Sequence, residues 1–250
     1  MTNDNENSQK PKSGAQPIFT LPGIVTGLAG IILAIHIAAV FVLDTGGKPQ
    51  FTLWFAFIPV RYYALFADSQ EWLPLLWTPI TYAFIHEGWE HLLINVAWLA
   101  IFGTPVARRY GPTVFLVIFG LSAMAGAFFF AVTTLPEMQI LVGASGGISG
   151  LTGTAMRFVF QPVEVARNPE TNELVMLGRR LASFGELMRN VRTRTFILVW
   201  VALNGMAPLL PMLIGQNALP IAWQAHLGGF FVGLLIAPLF ERKGVVQERE

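Results

Sequence analysis

The chain contains no cysteine, which excludes disulfides, thiolate metal sites and a cysteine nucleophile. It is also short of charge. Asp, Glu, Lys and Arg make up 12% of its 250 residues, against about 25% in a soluble globular domain. A chain with half the usual charge cannot cover itself in polar surface, and 54% of this one is hydrophobic. The composition is that of a multi-pass integral membrane protein. The formal net charge is only +1, and no basic face stands out, so nucleic acid is excluded as a partner. The first twenty residues, "MTNDNENSQKPKSGAQPIFT", hold no apolar run. They are expected to form a disordered tail, and no cleavable signal peptide is visible in them.

A bilayer core about 30 Å thick needs about 20 apolar residues per helix. Six runs approach that requirement: Leu21–Leu43, His86–Phe102, Thr113–Thr133, Ser145–Phe160, Thr195–Ile214 and Ile221–Phe240. The expected fold is therefore an all-α bundle over residues 21–240, followed by a tail over 241–250. With six spans, most basic residues fall on one side. These are Lys10 and Lys12, Arg108 and Arg109, seven arginines from Arg157 to Arg194, and Arg242 with Lys243. The other side has Lys48 and Arg61 among Asp44, Asp68, Glu71, Glu87, Glu90 and Glu137. The positive-inside rule then puts both termini in the cytoplasm. A bacterial inner (cytoplasmic) membrane is the expected location.

Two connections are long. Residues 44–79 carry Trp54, Phe55, Phe57, Tyr62, Tyr63, Phe66, Trp72 and Trp77, and aromatics favour the membrane interface, so this is read as an outer interfacial loop. Residues 161–194 form a basic cytoplasmic connector. Its piece "MLGRRLASFGELMRNVRTR" is either plain linker or a surface helix resting on anionic lipid.

Ionisable groups inside a span are costly, so each is a candidate for function. His91 and Asn95 share one helix face, and His86 lies about a turn above them. Ser145 opens a span that covers only about 24 Å at 1.5 Å per residue, so its start lies below the outer surface. His226 is about 8 Å inside the last span by the same rise. Gly146 and Gly150 form one small-xxx-small pair, and Gly229 and Gly233 another; such pairs let backbones approach closely. If those faces meet, His226 reaches Ser145 and can take its proton. His91, Asn95 and the Ser145 N–H would then stabilise an oxyanion.

Blander readings compete. The glycines alone suit helix packing, and a lone membrane histidine suits a packed role; His36 has no companions in its span. Ser149, one turn after Ser145, lacks a preceding glycine turn. "GASGG" also fits the G-x-S-x-G elbow of soluble hydrolases, but that fold needs strands alternating with helices, whereas apolar helical runs flank this serine. A transporter is disfavoured, since no paired broken helices or charged midplane sites are visible.

The segments "TYAFIHEGWEHLLINVAWLAIFG", "RRYG", "GASGGISG" and "AHLGGFFVG", in this order from Trp77 to Gly233, resemble the rhomboid family of intramembrane serine proteases. That resemblance implies a six-helix bundle that cuts transmembrane proteins with a Ser–His dyad and without a metal or cofactor. It assigns Ser145 as nucleophile and His226 as base. His91 and Asn95 fall on its H-x-x-x-N pair and His86 on the preceding histidine. Gly143 and Gly146 flank the serine, and Gly229 is the close-contact glycine after the histidine. Two positions depart from the common pattern: Thr78 stands where an arginine is usual, and Ala107 where a glutamate is frequent. Neither carries the chemistry. Transmembrane substrates and membrane lipid are the implied partners, and a catalytically silent rhomboid-like scaffold that binds transmembrane clients is the alternative.

The charge asymmetry makes a direct prediction. Single cysteines replacing Arg179 and Arg189 should react only from the cytoplasmic side, and those replacing Gln139 and Asn217 only from outside. Labelling of position 179 from outside would reverse the orientation.

Overall fold

The computed structural model describes residues 20–43, 47–66, 70–206, 209 and 221–241. The tail over 1–19, Asp44, Asp68, Asn217 and residues 242–250 lie outside them. Helices dominate. They are α1 (Gly23–Phe41), α2 (Gly47–Phe55), α3 (Thr78–Thr81), α4 (Trp89–Trp98), α5 (Thr104–Thr134), α6 (Ser145–Met156), α7 (Phe184–Arg189), α8 (Val191–Gly205) and α9 (Trp223–Ile236). Among the described residues three helical runs are long and apolar enough to cross a membrane: Gly23–Phe41, Trp89–Thr134 and Trp223–Phe240.

The second of these is not one straight rod. A π turn, Leu99–Gly103, joins α4 to α5, and Gly111 then breaks the helix at φ 77° and ψ 176°. Only glycine adopts that conformation readily, and Pro112 begins the next helical stretch. Residues from distant parts of the chain gather at this turn. Arg108 donates to the Thr20 carbonyl. Arg109 donates to the Arg179 carbonyl and pairs with Glu241 at 2.8 Å. Tyr110 Oη also donates to Glu241. Ala107 lacks a carboxylate, but Arg109, two residues on, finds one in Glu241.

α6 is the central element. Every residue from Gly146 to Met156 is buried. Lipid tails are as apolar as leucine, so membrane helices associate through close packing and interhelical hydrogen bonds. The glycines of α6 permit both. A Cβ at Gly229 would overlap the Gly146 carbonyl oxygen, and one at Gly233 would overlap that of Gly150. A Cβ at Gly126 would lie 2.7 Å from the Ala225 oxygen, which ties α5 to α9 as well. Thr154 Oγ1 donates to the Gly233 carbonyl at 2.8 Å across the same seam. On α1 the buried face is Val25, Leu28, Ile32, His36 and Ala39, while Ile31, Leu33 and Ile37 are exposed. A helix apolar on both faces suits contact with lipid on one of them.

Both connections hold more structure than expected. Residues 44–79 contain α2, two 3₁₀ helices (Pro59–Phe66 and Gln70–Leu76) and the start of α3. Trp77 Nε1 donates to the Trp54 carbonyl at 2.7 Å, and the two indoles stack. Thr81 Oγ1 donates to the Phe55 carbonyl at 2.8 Å. Phe57 forms an antiparallel bridge with Leu141, just before the site serine. Thr78 is buried beneath this arrangement.

In 161–194 the all-α expectation fails. Strands β1 (Glu164–Arg167) and β2 (Leu174–Gly178) form an antiparallel hairpin. The stretch 176–194 is not one surface helix either. Gly178 stands at φ +96° and ends the strand. Ser183 and Glu186 form a capping box that starts α7, and Asn190 caps α8 afresh. These residues offer the backbone local hydrogen bonds that interrupt a continuous helix. The Arg180 guanidinium, with Ser183, holds the half-buried Glu186 carboxyl down at about 2.

The glycine seam yields a paired prediction. Gly233→Ala forces a methyl group into the Gly150 backbone and should destabilise the protein by about 1–3 kcal/mol, as overpacking does. Gly30 has nothing within 4 Å of a Cβ, so Gly30→Ala should leave stability unchanged or raise it by up to about 1 kcal/mol. Thermal unfolding in one detergent compares the two, and equal midpoints would contradict the seam.

Candidate active site

The segment between α5 and α6 is held from below and from the side. Gly143 N–H donates to the Tyr82 carbonyl at 3.0 Å. Ala144 N–H donates to His86 Nε2 at 3.4 Å. Gly143 stands at φ +113°, where a Cβ would lie 2.6 Å from His91 Cε1 and 2.7 Å from Nε2. The glycine therefore serves both the turn and the close approach of the imidazole. α6 begins at Ser145, and its first internal bond runs from Ile148 N–H to the Ala144 carbonyl. The N–H groups of Ser145 and the next two residues precede that bond and have no partner within the helix. With the donors of Gly143 and Ala144 already engaged, the Ser145 N–H is the first one open.

Ser145 Oγ lies 2.8 Å from His226 Nε2. Both residues are only partly exposed. The glycine seam between α6 and α9 makes this distance possible, because Gly146 follows the serine directly and packs against Gly229. Ser149 sits one turn deeper in α6 and is buried; the serine that meets His226 is Ser145.

On the other side of His226, Nδ1 lies 2.7 Å from Asn204 Oδ1. The Asn204 amide is oriented by its own helix, since Nδ2 donates to the Trp200 carbonyl at 2.8 Å. Its oxygen is therefore the group facing the ring. An amide oxygen only accepts, so His226 Nδ1 carries the proton and Nε2 is free to accept from the serine hydroxyl. The geometry can thus draw a proton from Ser145 as the oxygen attacks an electrophile.

The remaining predicted residues surround this core. Asn95 is buried, and its Nδ2 donates to the His91 carbonyl at 2.9 Å, which leaves its second amide hydrogen available. His86 is also buried, but it lies in an extended stretch before α4 rather than within that helix. The His86 and His91 rings meet edge to face at 5.0 Å.

Sequence reasoning missed three participants. His36 does have companions: it is buried and packs edge-on to Trp89 at 4.7 Å, beside the strand of chain that leads into α4. Tyr82 is fully buried, and its hydroxyl donates to the Ala123 carbonyl at 2.9 Å. A Cβ at Gly146 would lie 2.6 Å from that hydroxyl. Asn204 carries no paired mark in the sequence, because no histidine of its own run lies one turn away, as His91 does from Asn95. A neutral amide in the run "VWVALNG" carries the signal of an ionisable group in a span only in a milder form.

Comparison with known proteins bears on this arrangement. The rhomboid domain family model matches residues 74–243. Rhomboid-related protein 2 of Mus musculus is 23% identical over 193 residues, covering 70% of this chain and 57% of its own length. Rhomboid protease GlpG of Haemophilus influenzae is 25% identical over 160 residues, covering 64% of this chain and 67% of its own. Rhomboid protease GlpG of Yersinia pestis is 28% identical over 171 residues, covering 68% of this chain and 50% of its own. The chain thus spans about half to two thirds of the length of these curated relatives. The match contains His86, His91, Asn95, Ser145, Asn204 and His226, and the chain belongs to the rhomboid family.

Proposed function

We propose that this protein is an intramembrane serine endopeptidase that cleaves transmembrane proteins near the outer face of the membrane. The observation that carries the reading is the 2.8 Å contact between Ser145 Oγ and His226 Nε2 inside an apolar helical protein. Two of the relatives are named as proteases, which supports it. In this reading the bundle has six spans with both termini cytoplasmic, in a bacterial inner membrane. The spans are α1, α4 with its π turn, α5 beyond Gly111, α6, and the runs that begin with α8 and α9.

Ser145 attacks the scissile carbonyl as its proton passes to His226 Nε2. The carbonyl oxygen becomes an oxyanion held by the Ser145 N–H, His91 and Asn95. His226 then returns the proton to the leaving amine, and water hydrolyses the acyl-enzyme by the reverse use of the same groups. A substrate helix must unwind locally first, because its carbonyls are hydrogen-bonded and shielded within the helix.

Two measurements test this. Cleavage of a labelled single-span substrate in liposomes should be abolished by Ser145→Ala and by His226→Ala, with thermal unfolding retained. The double variant should be no worse than either single one, because residues that act as a unit are non-additive. Wild-type cleavage by a folded Ser145→Ala protein would sink the assignment as drawn, whereas a folded wild-type protein that neither cleaves nor takes a fluorophosphonate at Ser145 would favour the scaffold.

The oxyanion assignment is tested separately. Loss of one such donor typically lowers turnover by about 10²–10³, and less where several donors share the charge. Asn95→Ala and His91→Ala should slow cleavage while a small fluorophosphonate still labels Ser145. Unchanged cleavage in both variants would remove these side chains from the mechanism.

A further inference from the structure

We infer that Asn204 is a positioning residue for His226, the third member of a Ser–His–Asn relay whose last link is supplied by α8. The inference rests on the dyad proposed above and extends it to a helix that contributes no reacting atom.

The chain of contacts runs in one direction only. The Trp200 carbonyl accepts from Asn204 Nδ2 at 2.8 Å. The Asn204 oxygen accepts from His226 Nδ1 at 2.7 Å. His226 Nε2 then accepts from the Ser145 hydroxyl at 2.8 Å. A backbone carbonyl cannot donate, so it fixes the amide; the amide oxygen cannot donate, so it fixes the imidazole. Among the described residues Asn204 is the one whose oxygen meets Nδ1; without it the tautomer with its proton on Nε2 becomes accessible, and that form cannot take a proton from serine.

The helix packing holds the relay in register. Trp200 stacks on Phe230 with ring centres 4.3 Å apart and planes 18° apart. Trp200 and Asn204 are one turn apart on α8, and Phe230 and His226 are one turn apart on α9. The two pairs therefore lock antiparallel helices at one height, the stack setting the depth and the amide meeting the ring. An amide also suits the location. An aspartate would supply the same acceptor but would bring a charge into an apolar span, where charge is costly.

The test compares Asn204→Leu, which keeps volume and removes the acceptor, with Asn204→Asp, which restores it. Leu203→Ala serves as control, because Leu203 is 68% exposed on the same helix. Asn204→Leu should lower kcat by about 10–100-fold with KM near that of wild type. This is less than the about 10⁴ seen when the carboxylate of a serine protease triad is neutralised, because an amide holds the ring without charge. Asn204→Asp should recover most of the loss, and Leu203→Ala should match wild type. In ¹⁵N-histidine-labelled protein, His226 should show a protonated Nδ1 and a bare Nε2, and Asn204→Leu should show both tautomers.

Wild-type kcat in Asn204→Leu overturns the inference, as does a wild-type ring pattern in that variant whatever its rate. A Ser145→Ala control separates the two proposals. If Ser145→Ala is inactive and Asn204→Leu is not impaired, only the positioning role falls; if Ser145→Ala still cleaves, the protease reading falls first.

Discussion

The structure depends on the backbone contact between α6 and α9. Gly146 meets Gly229, and Gly150 meets Gly233, with no room for a Cβ at 229 or 233. Soluble helices meet through side chains at about 8–10 Å; here the seam is backbone against backbone. A short side chain such as serine reaches a neighbouring imidazole only when the helices lie that close. The small-residue packing and the Ser145–His226 contact are therefore one feature. The run "LVGASGGISGLTG" is neither packing surface alone nor reactive turn alone, since the glycines that allow the approach flank the serine that uses it.

A second constraint is hydrogen-bond satisfaction away from water. Each polar group placed in an apolar bundle needs a partner or a free direction toward a ligand. Around the site the partners are local. Tyr82 serves the Gly143 N–H through its carbonyl and reaches Ala123 through its hydroxyl. His86 takes the Ala144 N–H. Asn95 bonds back to His91 within its own helix. These bonds engage the donors just upstream of Ser145 and stop there, so the helix opens with an unengaged donor beside the serine oxygen. A helix N-terminus also carries partial positive charge, which suits that position for a developing oxyanion.

Much of this was legible in the sequence because the signals are periodic or compositional. Low charge and long apolar runs gave the membrane class. The spacing of Gly146 and Gly150, and of Gly229 and Gly233, marked faces able to meet, and the i, i+4 relation of His91 and Asn95 marked one helix face. Other features follow from tertiary contacts that a single chain does not display. His36 looked isolated because its companion, Trp89, lies more than fifty positions away. His86 seemed to begin a helix because "HEGWEH" is continuous with an apolar run, yet Gly88 precedes α4 in extended conformation. The hairpin in 161–194 arises from two short stretches, EVAR and LVMLG, joined by a turn at Asn172, φ 57°. A charge-based reading of a basic linker does not weigh those stretches.

The two sides of His226 are built differently. Toward α6 the contact is backbone on backbone, which fixes the Ser145–His226 distance within the packing of the core. Toward α8 the contact is made by side chains, Trp200 on Phe230 and Asn204 on His226. Side chains hold helices further apart than glycines do, so at the level of the imidazole the α8–α9 interface is bridged by side chains where the α6–α9 seam is not. The side made by side chains is the one on which the Asn204 oxygen meets Nδ1. In this arrangement the distance from Ser145 Oγ to the imidazole is a property of the backbone seam, and the orientation of the ring is a property of the side-chain contacts with α8.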